Sequence, residues 1–176
     1  MNFGVKLFRV LNGIGIVMTS FLLLAFLRWM LQIGFIGAGL PVIFLGGVLI
    51  HAILANGVQK SLRNPELPVK DNTLNGVQIL GFFPILIGLL VVATASMLNN
   101  PDWRDLVAKD LADQAVASAQ KMPDGTIESS IVLGQILMTV YGIILVGNAV
   151  VAMIYVKQLR DRQNEDQNGN PDDIGA

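Results

Sequence analysis

The 176-residue chain contains no cysteine. That excludes disulfides, thiolate metal sites, thiol nucleophiles and iron–sulfur ligation. It contains one histidine, His51, so a multi-histidine metal site is excluded as well. Charge is scarce too: 14% of residues are Asp, Glu, Lys or Arg, where a soluble domain carries about 25%. The net charge of −1 speaks against nucleic acid, which needs a concentrated basic surface. No P-loop, Rossmann glycine pattern, GxSxG or HExxH is present, and each would have marked a catalytic or nucleotide-binding framework. No catalytic residue, cofactor or metal is therefore expected, and the balance leans away from an enzyme.

What the chain has instead is apolar length. Ser129–Val156 runs 28 residues without a charge and then meets Lys157, Arg160 and Arg162. About 20 such residues cross a hydrocarbon core roughly 30 Å thick. A soluble helix rarely stays apolar on every face for this long. The remainder divides in the same way. Val10–Leu27 follows Lys6 and Arg9 and ends at Arg28 and Trp29. It is too long for a signal-peptide core and lacks a small-residue cleavage site, so it reads as an uncleaved first span. A glycine-rich hairpin over Gln32–Gly39 precedes Pro41, which suits a first helical turn. The second span starts near Leu40 and ends near Gln59. Gly76–Leu98 is the third span and should be kinked by Pro84.

The fold class expected is all-α: a polytopic membrane protein with four transmembrane helices, near 10–30, 40–59, 76–98 and 130–156. A fifth, extracytoplasmic amphipathic helix near 101–122 joins the last two spans. Asn100-Pro101-Asp102 supplies its N-cap, first-turn proline and dipole-favoured acid, and Pro123-Asp124-Gly125 turns the chain back. The four-span domain covers residues 1–162. Residues 163–176, rich in Asn, Gln and Asp, read as a disordered polar cytoplasmic tail. With the N-terminus inside, eight Lys or Arg lie on the cytoplasmic side and four outside. That excess predicts both termini in the cytoplasm, and in a bacterium the inner membrane.

Two groups of residues are candidate sites. His51 sits nine residues before Lys60, and Asn148 nine before Lys157, so the two share a depth. Asn12, Asn56 and Gln78 fall in the same half of the bilayer. Polar groups are expensive in lipid, so such a layer either handles a solute or pins helices together by hydrogen bonds. The fourth span also carries Met138, Tyr141, Leu145, Asn148, Ala152 and Tyr155 at alternating three and four spacing, a packing seam. The second candidate is an interaction surface on the outer helix. Trp103, Val107 and Leu111 recur every four residues with Leu106 alongside. The acids around them read as a solvated face, and the tail's Asn164–Gly169 lacks the first Asp and twelfth Glu of a calcium loop. The partners expected are the lipid bilayer and either another membrane protein or a second copy of this chain. The function expected is non-enzymatic association, as an accessory or assembly subunit. The alternative is a small transporter or channel component built on the His51 and Asn148 layer.

Overall fold

The computed structural model describes residues 3–64, 66–67, 69–117, 123 and 125–168. Six helices follow in order: α1 (Phe3–Ile33), α2 (Phe35–Arg63), α3 (Asp71–Leu80), α4 (Phe82–Met97), α5 (Pro101–Ala117) and α6 (Thr126–Asn168). No strand occurs among the described residues. Four stretches are long and apolar enough to cross a membrane: α1, α2, α3 with α4, and α6. This arrangement fits integral insertion, since helices alone satisfy their backbone groups internally in lipid. Hydroxyls in these stretches follow the same rule. Thr94, Ser96 and Thr139 each donate to the carbonyl four residues earlier, at 2.8–2.9 Å.

The first, second and fourth spans lie inside longer helices, the third is divided between α3 and α4, and three boundaries differ from expectation. The hairpin over Gln32–Gly39 is one residue, Gly34, at φ 85, a left-handed conformation that glycine adopts without steric cost. Pro41 consequently lies inside α2 rather than at its start. The third span begins early, at Asp71, and breaks at Gly81 rather than at Pro84 itself. Pro84 has no N–H for the Leu80 carbonyl and its ring crowds that carbonyl, so the interruption falls next to Leu80. The tail expected to be disordered from residue 163 continues as helix to Asn168. Gln163 Nε2 donates to the Val69 carbonyl at 3.2 Å, and Arg, Gln and Glu are good helix formers. Residues 169–176 lie outside the described residues. So do 118–122 and 124, over which the outer helix and its turn were expected to run.

The bundle is two antiparallel pairs, α1 with α2 and α4 with α6, joined by α1–α6 and α2–α3 packing. The buried face of α1 is Val5, Phe8, Asn12, Gly15 and Thr19, spaced three and four apart as a coiled-coil-like seam requires. At the end of the bundle bearing Lys60 and Lys157, Phe8, Ala55, Val58, Leu74, Val77 and Ala152 form one core cluster. Nearer the opposite end, Val48, Tyr141 and Leu145 form a second, with Phe83, Ile87 and Val91 against it. α4 and α6 approach closely, backbone to backbone. A Cβ on Gly88 would lie 2.7 Å from the Gly142 carbonyl oxygen, and one on Gly142 2.6 Å from that of Gly88. Two backbones meet there with no side chain between them.

Candidate functional site

The polar layer assembles between the two core clusters, and its centre is Asn12. Its buried amide nitrogen donates to the Ala52 carbonyl at 3.0 Å and to Asn56 Oδ1 at 2.8 Å. Its oxygen accepts from Asn148 Nδ2 at 2.9 Å. One side chain thus links α1, α2 and α6. The stripe that buries Phe8 and Gly15 also buries Asn12, which explains why the amide faces inward and must find partners there.

His51 is fully buried on α2, but its ring nitrogens have no hydrogen-bond partner among the described residues. Asn148 Oδ1 has none either. No direct His51–Asn148 hydrogen bond is present among the described residues: Asn148 Nδ2 donates to Asn12, and its Oδ1 is left, like the imidazole, without a partner. Gln78 stands apart from the layer. It is exposed on α3 and accepts from Arg160 Nη1 at 2.8 Å, while Arg160 also donates to Asn75. On α3, Leu74 and Val77 are the buried residues, while Gln78, one position beyond Val77, lies at the edge of that face and is exposed.

A second polar contact was not anticipated. The Thr19 hydroxyl and the Tyr141 hydroxyl lie 2.9 Å apart and are buried. Thr19 is seven residues beyond Asn12, two turns along the same stripe, and that spacing is the signal for it. Below the layer, Gln59 Nε2 donates to the Phe8 carbonyl at 3.4 Å. Chemically, this core holds a connected set of amides and a separate pair of unsatisfied groups: an imidazole that can donate and accept, and an amide oxygen that can accept. Among the described residues no group of three or more His, Asp or Glu could hold a metal ion.

The residues of the candidate interaction surface, Trp103, Leu106, Val107 and Leu111, lie on α5. Asn100 Oδ1 accepts from the Asp102 backbone nitrogen at 2.9 Å, the N-cap that the sequence suggests. Arg104 forms an ion pair with Glu128 at the start of α6, and Gln135 donates to Asn99 Oδ1 at 2.8 Å. These contacts seat α5 against α6. Val107 and Leu111 are half-buried, whereas Trp103 and Leu106 remain exposed. Compared with protein-family models, curated proteins and solved structures, the chain matches none.

Proposed function

We propose that the chain is an integral membrane protein that acts by association, as an accessory or assembly subunit. α5 is its docking element, on the side of the membrane away from the cytoplasm. The observation that carries this reading is the apolar surface α5 leaves uncovered. Trp103 is 48%, Leu106 59% and Val116 80% exposed, on a helix separate from the four apolar spans. Lipid accounts for the exposed leucines and isoleucines of the spans. A helix lying on lipid is rich in Lys and Arg on its polar face, whereas α5 carries Asp102, Asp105, Asp110 and Asp113 against Arg104 and Lys109. Exposed aromatic and aliphatic groups among charges are the composition of a contact surface.

A photo-crosslinking residue at Leu106, activated in intact membranes, tests this reading. A discrete protein adduct is expected, and it is lost in Trp103→Asp. An adduct of twice the chain's mass identifies a second copy as the partner. Crosslinking to lipid alone overturns the docking role.

The alternative, a small transporter or channel component, draws on one observation: the unpartnered nitrogens of His51 beside an amide-lined core. Solute flux in liposomes that His51→Leu abolishes, with the protein still folded, would favour it.

A further inference from the structure

A cleft of about 340 Å³ lies between α1 and α2 at the basic end of the bundle. Arg9 contributes to it from α1, and Lys60 and Arg63 from α2. The pairing of the two helices brings these charges to one level. Gln59 reaches the Phe8 carbonyl and Asn12 reaches Asn56, so Arg9 stands opposite Lys60. No carboxylate lines the cleft. The one ion pair among the described residues is elsewhere, between Arg104 and Glu128, so all three cations are unneutralised.

Further into the bundle the lining becomes Asn56, Gly13 and Ile16. Asn56 has its oxygen committed to Asn12, and its amide nitrogen makes no hydrogen bond among the described residues. It is available as a donor below the cations. At Gly13 a Cβ would meet nothing within 4 Å, so the floor is open space. From Arg9 to Ile16 the cleft descends roughly 10 Å along α1, at about 1.5 Å per residue.

We propose that this cleft binds the phosphate group of an anionic phospholipid. Arg9, Lys60 and Arg63 hold the phosphate, Asn56 donates to an ester or glycerol oxygen, and an acyl chain passes over Gly13 and Ile16. Basic pockets between spanning helices are suited to anionic headgroups. A free phosphate would use the cations but not the apolar descent. The inference rests on insertion of the four spans and is independent of the docking role of α5.

The test uses the purified, delipidated full chain in mild detergent, with bound lipid counted by native mass spectrometry. Phosphatidylglycerol should bind in preference to phosphatidylcholine. At roughly fivefold per charge, Arg9→Gln with Lys60→Gln should weaken phosphatidylglycerol binding about 25-fold. Lys157→Gln with Arg162→Gln removes equal charge from the same end and should leave binding nearly unchanged. Gly13→Leu fills open space without touching the core, so it should lower lipid binding while thermal stability holds. It decides the matter if the charge variants do not fold. Equal losses from the two double variants would reduce the effect to general surface charge and overturn the proposal. So would undiminished binding in Gly13→Leu. Displacement of the lipid by equimolar inorganic phosphate would reassign the site to a soluble anion.

Discussion

Asn12 and His51 are both buried polar side chains, yet they should respond to mutation with opposite signs. Asn12 satisfies groups on two other helices, so Asn12→Leu leaves Asn148 Nδ2 and Asn56 Oδ1 without their partner. Orphaning buried groups costs about 1–3 kcal/mol, and the melting temperature in detergent should fall accordingly. His51 makes no hydrogen bond among the described residues, so His51→Leu removes an unmet demand at similar volume and should be neutral or stabilising. Thermal melts of the two variants side by side check this, and a reversed order would refute it. The sequence places His51 and Asn148 at one depth, because both can be counted from the basic residues Lys60 and Lys157. It does not give their partners, since a count along the axis says nothing about rotation around it. The stripe Phe8, Asn12, Gly15, Thr19 does carry that rotation, and it marks Asn12 and Thr19 as inward-facing from spacing alone.

Between elements, the α4–α6 crossing depends on absence of side chains. Gly142→Leu should be severely destabilising, because the new Cβ alone would lie 2.6 Å from the Gly88 carbonyl. Gly147→Ala has nothing within 4 Å of its Cβ and should be neutral, or gain up to about 1 kcal/mol of helix propensity. Unfolding in a denaturing-detergent titration, followed by circular dichroism, separates the two. This contact was not legible in the sequence. Gly88 and Gly142 belong to different helices, and no GxxxG pattern announces them; only the register of one helix on the other brings them together. The break in the third span was half legible. Pro84 announces a kink, but its position follows from the carbonyl one turn earlier, so it falls at Gly81. The one-residue turn at Gly34 was hidden because Gln32–Gly39 contains three glycines, and any of them could have taken the left-handed conformation.

For the whole molecule, apolar runs and basic clusters made the four spans readable, while helix ends were not, because polar residues such as Gln163 continue a helix once a neighbour accepts their hydrogen bonds. The proposed orientation, both termini cytoplasmic, is open to a direct check in a chain with no native cysteine. Asn64→Cys and Val116→Cys are both at exposed positions. With an impermeant thiol reagent on intact cells, Val116→Cys should label and Asn64→Cys should label only after permeabilisation. Labelling of both from one side would discard the topology. One further property concerns α6. From Lys157 to Asn168 it runs on for roughly 18 Å at about 1.5 Å per residue. Leu159 packs there into the core cluster with Leu74 and Val77, and Arg160 and Gln163 hydrogen-bond to α3 and the segment before it. The helix beyond Gln163 is a lever: a change of tilt within the bilayer is delivered at its tip as an amplified lateral displacement, with those contacts as its stay.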